Sequence, residues 1–246
     1  MFIILLFKKQ KQTTKMTLKI PKTIHGIDGK KAYERIVNGI SEEQTVIVQP
    51  VQNPIMNSTD DFIYVPSINL YVAKQRTLLN SNYNECQESL HKENSKMLTI
   101  PEFKEFLNYT KDNFLDIYNE ITEVRSPWRS EWLDADFKVE NKDLFVYFHV
   151  FKNGNIIGKK EKLDENILME DKTPGISLEG WLKDSTKQGL PKQNIASGNL
   201  YYWFPRSDNN SVARFLANVG WVDLNCYRFP SDQLSSLGVR AAKQRV

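Results

Sequence analysis

The feature that most constrains this chain is an alternating pattern near its C-terminus, in the run Asp223-Leu-Asn-Cys-Tyr-Arg-Phe-Pro230. In an extended strand, successive side chains point to opposite faces. One set is typical of a packed face with a single charge that needs a partner, and consists of Leu224, Cys226, Arg228 and Pro230. The other set mixes aromatic and short polar groups, and consists of Asp223, Asn225, Tyr227 and Phe229. The pattern therefore predicts a strand with one buried and one displayed face.

Strand patterns also dominate the rest of the C-terminal quarter. Residues 199–203, 211–217 and 237–242 are each predicted to be extended. Further upstream, residues 62–65, 68–73 and 143–151 are rich in β-branched and aromatic residues, and Asn153-Gly154 is a hairpin signal. Residues 160–195 are rich in proline and glycine, and we expect an insertion with little regular structure.

Two segments indicate helices. Thr99-Ile-Pro-Glu102 predicts a helix start, because Thr99 can cap the backbone, Pro101 suits the first turn and Glu102 completes a capping box. An apolar stripe continues to Ile121 and is expected to break near Asn113 into two helices. Residues 84–94 form a second helical pattern, with Cys86 and Leu90 on its core side.

The N-terminal part, residues 1–60, is interpreted as a partly ordered extension. Residues 31–39 fit a short helix and residues 45–50 a strand. The apolar run Phe2–Phe7 precedes its basic residues and is too short for a membrane span, so no convincing signal peptide or transmembrane segment is predicted and localisation stays open. Met16 is an alternative start.

The overall composition is typical of a globular chain, and its nearly balanced charges produce no strong electrostatic field. Of 246 residues, 40% are hydrophobic, and 33 basic residues face 30 acidic ones. A net charge of +3 gives no reason to expect a nucleic-acid or membrane partner. With two cysteines, Cys86 and Cys226, a disulfide scaffold is excluded, and two buried free thiols are the default expectation.

The segments around the alternating strand use residue types typical of recognition surfaces. Tyr and Trp provide rigid contact area, and Asn, Ser and Gly adapt their hydrogen bonds. An ordinary strand–loop–strand with a few exposed aromatic residues is the competing interpretation, and composition alone gives the two about equal weight.

Several motifs of this sequence, in the order in which they occur, resemble those of a known fold family. Residues 85–106 resemble the helix–turn–helix segment of C-type lectin folds, and Leu237-Gly-Val-Arg-Ala-Ala242 resembles the strand that closes such domains in formylglycine-generating-enzyme-like members. Between them, residues 203–215 and the alternating strand resemble the variable region of a diversity-generating retroelement target protein. The resemblance extends from about Asp61 to Lys243 and is greatest to nanoarchaeal variable proteins.

This resemblance implies an α+β, C-type lectin-like domain over residues 61–246, with two helices, a mainly antiparallel sheet and a loop-rich insertion. In such elements an error-prone reverse transcriptase rewrites one stretch of the gene, here residues 208–243, while the fold presents the changing side chains. The implied function is non-enzymatic recognition of a ligand, which we expect to be a protein or cell-surface molecule, without a cofactor. The implied ligand-binding positions are Leu216, Asn218, Val219, Gly220, Trp221, Val222, Asp223, Asn225, Tyr227, Phe229, Ser231, Asp232, Gln233, Leu234, Ser235 and Ser236. The implied constant scaffold is 208–215, Ala217, Leu224, Cys226, Arg228, Pro230 and 237–243.

The chain departs from the relatives with known chemistry. It has no Glu-Pro-Asn or Trp-Asn-Asp calcium signature, and no recognisable pair of formylglycine-generating cysteines. Calcium-dependent sugar binding and that oxidase activity are therefore not expected.

The sequence is also compatible with two other classes of function. Glu131, Asp134 and Asp136 are oxygen ligands of the kind that a metal-dependent hydrolase or nuclease uses, although their spacing matches no specific motif. The competing interpretation is structural pairing of these acids with Arg214, Arg228 or Arg240. A structural or virion-associated protein is the third class, for which the displayed face would be a contact surface. The scattered His25, His91 and His149 are expected to be core or surface residues.

Overall fold

The structure is a computed structural model and describes residues 23–24, 27–28, 59, 61–205, 208 and 210–245. The chain divides into two compact units, Met1–Gln52 and Asn53–Val246. In the first unit, strands β1 (Thr23–Ile24) and β2 (Ile27–Asp28) pair antiparallel. The helix predicted over 31–39 and the strand predicted over 45–50 lie outside the described residues.

The second unit is mixed α+β with mostly strand, and its described part contains four helices rather than the two expected. Its elements in chain order are β3 (Phe62–Val65), β4 (Leu70–Ala73), α1 (Tyr83–Lys92), β5 (Lys96–Met97), α2 (Ile100–Asn113), α3 (Leu115–Thr122), β6 (Arg129–Glu140), β7 (Asp143–Lys152), β8 (Asn155–Lys162), β9 (Lys172–Ile176), α4 (Leu178–Lys183), β10 (Leu200–Trp203), β11 (Ser211–Ala217), β12 (Val222–Arg228), β13 (Leu237–Val239) and β14 (Ala241–Gln244). None of the helices in this described part is long and apolar enough to cross a membrane.

Two sheets organise this unit. The larger has the order β8-β7-β6-β11-β12-β10-β9, and β13 also pairs with β6. Its pairs are antiparallel except β10 with β12 and β13 with β6. The smaller sheet has the order β3-β4-β14-β5, so strands from the beginning and end of the unit lie side by side.

The helix start predicted at Thr99 is confirmed by its capping hydrogen bonds. Thr99 Oγ1 accepts from the backbone N–H of Glu102, while Glu102 Oε2 accepts from the backbone N–H of Thr99 at 2.8 Å. Asn82 and Glu85 form the same reciprocal box at the start of α1, a cap that the sequence pattern of 84–94 did not reveal. The expected helix break is also present, since α2 ends at Asn113 and α3 begins at Leu115.

The expectation of an irregular insertion at 160–195 is wrong, because this segment contains β9 and α4. Trp181 on α4 is fully buried, stacks on Phe215 of β11 at 6.2 Å, and donates its indole N–H to the carbonyl of Gly189 at 2.7 Å. Gly189 lies in a turn with a φ of +82°, as a loop residue would, but Gly175 lies within β9 and marks close packing. A Cβ at Gly175 would lie 1.9 Å from the carbonyl oxygen of Leu200.

The core lies mainly on one face of the larger sheet. There, Phe103 and Phe106 of α2 join Phe215, Leu224 and Cys226 of the central strands, and all five are fully buried. A second cluster on the opposite face, which includes Tyr83, Cys86, Trp132 and Leu237, covers β6 and the beginning of β11. Cys86 and Cys226 are therefore buried in separate clusters and both are free thiols, as expected.

Candidate ligand-binding site

The face of the larger sheet opposite the main core carries the candidate site on β10, β11 and β12. Leu224 and Cys226 lie in the core, as the alternation predicts. Val222, which the resemblance placed among the displayed positions, also lies in the core and is only 6% exposed. The correction has a simple cause, because Val222 is two residues before Leu224 and so shares its face.

A β-bulge ends the alternation before the strand does. Asn225 pairs with Arg214 and Arg228 pairs with Val212, so three residue steps on β12 lie opposite two on β11. Because directly paired residues share a face, the bulge moves Arg228 onto the same face as Asn225 and Arg214. Asn225 Oδ1 accepts a hydrogen bond from the backbone N–H of Tyr227 at 3.2 Å and supports this distortion. The sequence had placed Arg228 on the packed face.

Three more of the expected display positions lie on this outer face but are buried. Leu216, Asp223 and Asn225 are only 6%, 3% and 5% exposed, so the expectation that they project freely into solvent is wrong. The neighbouring hairpin tip and the loop 229–236 rise around them and make the face concave. These three side chains therefore form its base, whereas the residues around them form its rim.

The hairpin tip between β11 and β12 is built by Asn218. Its Oδ1 accepts hydrogen bonds from the backbone N–H groups of Gly220 at 2.7 Å and Trp221 at 3.0 Å. Asn218 was expected to set polar specificity, but its side-chain oxygen is used by the turn. Val219 is 73% exposed, and a Cβ at Gly220 would meet only Asn218 Oδ1 at 3.6 Å, so the tip has room for other side chains.

Two aromatic pairs connect β10 with the two ends of β12. The rings of Tyr201 and Trp221 stack, with centroids 5.9 Å apart and planes 9° apart, and those of Trp203 and Tyr227 meet at 5.7 Å. Sequence analysis did not assign Tyr201 and Trp203 to the site. Their alternation with the core residues Leu200 and Tyr202 is the signal that could have indicated a displayed face, but only the parallel pairing of β10 with β12 places them beside Trp221 and Tyr227.

The loop after β12 forms the other side of the site. Phe229 and Leu234 are 38% and 37% exposed, and the short side chains of Ser231, Gln233 and Ser235 are also exposed. Asp232 and Ser236 are half-buried. Asp232 forms an ion pair with Arg228, and the carbonyl of Ser236 accepts hydrogen bonds from Ser130 N–H at 2.9 Å and Arg76 Nη1 at 2.6 Å. The loop is thus fastened at both of these points while its tip faces solvent.

A cavity of about 600 Å³ opens between the hairpin tip, this loop and the segment before β6. Its walls are mostly apolar, and its lining consists of Ser126, Pro127, Trp128, Arg214, Leu216, Asn218, Val219, Trp221, Arg228 and Leu234. The two arginines are the charged members of this lining. Both come from positions that the resemblance assigned to the constant scaffold.

Polar atoms near the base of this cavity lack partners. Arg214 Nε, Arg228 Nε and Asp223 Oδ1 are buried and make no hydrogen bond. Burial, followed by the positive charge of Arg228, lowers the pKa of Arg214 to about 10. Burial raises the pKa of Asp223 to about 6, although Arg214 acts in the opposite direction. Unpaired buried polar groups are costly, so such a group in a folded protein calls for an explanation.

The acidic residues considered as a metal site have separate structural roles. Glu131 accepts from Arg129 Nη2 at 2.5 Å and from Arg240 Nε at 3.0 Å, so the pairing expected with Arg240 is confirmed, whereas Arg214 and Arg228 lie elsewhere. Burial opposes ionisation of Glu131, but these two arginines outweigh it and lower its pKa to about 2.

Asp134 contacts a different set of side chains. It accepts from the backbone N–H of His149 at 2.7 Å, and its Oδ1 lies 3.3 Å from the hydroxyl of Tyr83. The ring of His149 meets that of His91 at 4.7 Å, a contact that the scattered sequence positions did not suggest. Among the described residues, no group of three or more His, Cys, Asp or Glu side chains is arranged to hold a metal ion.

Comparison with known proteins identifies no similar family, protein or structure. No protein-family profile, curated protein or solved structure matches the chain.

Proposed function

We propose that this protein is a non-enzymatic ligand-binding protein, the variable protein of a diversity-generating retroelement, which presents a C-terminal recognition face on a C-type lectin-like fold. The observation that carries this proposal is the separation of the two faces of β11 and β12. Leu224 and Cys226 belong to the main core, while Trp221 and Tyr227 belong to an outer surface with a cavity.

This separation of core and outward side chains suits a surface whose residues vary in sequence. Core side chains tolerate few exchanges because interiors are close-packed, whereas exposed positions cost little when altered. Val219, Gly220 and the tip of the loop 229–236 have open space around them. The pairing of β14 with β4, which brings the two ends of the unit together, supports the lectin-like assignment.

The test compares two libraries of the full chain displayed on yeast. One library randomises outward positions, namely Val219, Gly220, Trp221, Tyr227 and Phe229. The matched library randomises the same number of core positions, namely Val222, Leu224, Cys226, Phe215 and Ala217. Protease resistance measures folding, and we expect most outward variants and few core variants to resist.

Selection of the outward library against a panel of purified cell-surface proteins then measures recognition, and we expect binders to be enriched. Equal protease sensitivity in the two libraries would contradict the separation of faces. Sequencing of the flanking DNA tests the retroelement assignment: it predicts a near-copy of the last coding stretch, differing mostly at adenines, beside a reverse-transcriptase gene.

A further inference from the structure

The cavity beside Trp221 combines apolar walls with two incompletely bonded arginines, of which Arg214 is buried and Arg228 is half-buried. Leu216 and Arg214 are almost fully buried at its base, and Trp221 and Leu234 are about two-fifths exposed at its rim. Trp221 is held in place by its stack on Tyr201 and by an indole hydrogen bond to Asp223. The cavity is therefore preformed, with one rigid aromatic wall.

The hydrogen bonds that Arg214 and Arg228 do not make indicate which chemical group the cavity would bind. Arg214 is only 7% exposed, and its Nε has no hydrogen-bond partner. Arg228 forms an ion pair with Asp232, yet its Nε is also buried and unbonded. Both arginines line the cavity, and the planar N–H donors of guanidinium groups suit the two oxygens of one carboxylate.

We infer that this cavity binds the C-terminal residue of a partner polypeptide, with the α-carboxylate at Arg214 and Arg228 and an apolar side chain against Trp128 and Trp221. A chain terminus suits the cavity because its carboxylate and its side chain leave the same Cα, which places the anion directly beside an apolar group. No carboxylate is among the residues that line the cavity, although Asp223 and Asp232 lie close enough to act on Arg214 from behind this lining.

The surroundings favour a polypeptide over a free small acid. Tyr227 and Phe229 extend the outer face beyond the cavity, and the residues that precede the terminus would cover them. The inference rests on the proposed function for the role of the changing rim. Arg214 and Arg228 are assigned to the constant scaffold, so every variant would keep the carboxylate anchor while residues such as Val219 and Leu234 select the terminal side chain.

Calorimetry of the full chain with short N-acetylated peptides tests the inference. The peptides end in Leu, Phe or Trp, and each is measured as the free acid and as the C-terminal amide. We expect at least one free acid to bind and its amide to bind about tenfold more weakly or worse, because charge-assisted hydrogen bonds are lost. Equal binding of acid and amide, or binding of neither, overturns the inference.

Matched variants identify the cavity. Arg228→Gln removes one anchor, and Leu234→Glu adds a negative charge at the rim, with Leu234→Gln as its neutral isostere. We expect Arg228→Gln and Leu234→Glu to lose affinity for the free acid, while circular dichroism shows all three variants folded. Leu234→Gln also loses apolar contact, but it lacks the negative charge and should bind the free acid about tenfold more tightly than Leu234→Glu does. If Arg228→Gln fails to fold, the comparison of Leu234→Glu with Leu234→Gln tests the assignment by itself. Equal affinity of Leu234→Glu and Leu234→Gln overturns the assignment.

N-acetylphenylalanine distinguishes the two sources of the carboxylate. If it binds as tightly as the peptide that ends in Phe, the cavity takes a free acid and the inference of a polypeptide terminus is overturned. If no peptide binds but the outward library still yields folded binders, the inference fails and the proposed function stands. If peptides bind and no retroelement flanks the gene, the retroelement assignment fails and the carboxylate site stands.

Discussion

The indole Nε1 of Trp221, the residue before β12, donates a hydrogen bond at 3.0 Å to Oδ2 of Asp223, the second residue of that strand. This bond joins the exposed rim of the candidate site to its buried base. It leaves Asp223 Oδ1 without a partner and places a carboxylate in a poorly hydrated position near Arg214. The pair thus links the orientation of the most prominent aromatic side chain to the ionisation of a buried acid.

Asp223→Asn is expected to change how stability depends on pH. The pKa of Asp223 rises from 3.8 to about 6 on folding because of burial. Between these values the folded protein keeps a proton that the unfolded chain loses, so ionisation of Asp223 makes the wild type less stable as pH rises from about 4 to 6. The amide avoids this loss, and its advantage should grow to about 3 kcal/mol above pH 6.

Urea unfolding of both proteins at pH 4, 5, 6, 7 and 8 measures this difference. Subtracting the two curves removes the contribution of the other carboxylates, such as Glu131, whose lowered pKa acts in the opposite direction. A difference that stays constant from pH 4 to pH 8 would show that Asp223 does not titrate in this range.

Trp221→Ala is expected to lower stability by only about 1–2 kcal/mol. The substitution removes one aromatic stack and one hydrogen bond, but Trp221 is 40% exposed. Trp181→Ala is the matched comparison, because it removes the same side chain from a fully buried site and should cost about 3–5 kcal/mol. Thermal unfolding measures both, and a loss from Trp221→Ala as large as that from Trp181→Ala would assign Trp221 to the core.

Glu131→Gln is expected to be strongly destabilising, by about 3–5 kcal/mol, because it removes the fully buried anion shared by Arg129 and Arg240 and leaves them only the partly exposed Glu120. Glu140→Gln removes a half-buried carboxylate near the end of the same strand, paired only with the partly exposed Lys160 and Tyr147, and should leave the urea midpoint almost unchanged. The m-value checks that both variants unfold in the same way. A stable Glu131→Gln protein would reopen a chemical role for this acid.

Gly220→Tyr and Gly198→Ala are expected to differ sharply in their effect on stability. Gly220 has no positive φ and open space at its Cβ position, so a tyrosine there should change the melting temperature little. A Cβ at Gly198, in the loop before β10, would lie 2.6 Å from the backbone of Ile176 and Ser177, so even alanine should push this loop away from the end of β9. Differential scanning calorimetry measures both, and a destabilised Gly220→Tyr variant would mean that the hairpin tip cannot vary.

Local sequence signals determined several elements of this protein. The capping box of Thr99 and Glu102 fixed the start of α2, because both partners lie within one helical turn. The alternation of Leu224 and Cys226 identified the packed face of β12, because side chains of a strand alternate whatever its neighbours are. These features depend only on residues a few positions apart.

Tertiary structure alone decided the composition of the site. The bulge opposite Val212 turned Arg228 from the packed face to the cavity, and the parallel placement of β10 brought Tyr201 onto Trp221. Both depend on the register between strands that are distant in sequence, which no local pattern encodes. For the same reason the partner of Glu131 could be predicted as an arginine, since a buried charge needs a counterion, but its identity as Arg240 together with Arg129 emerged only when the strands were assembled.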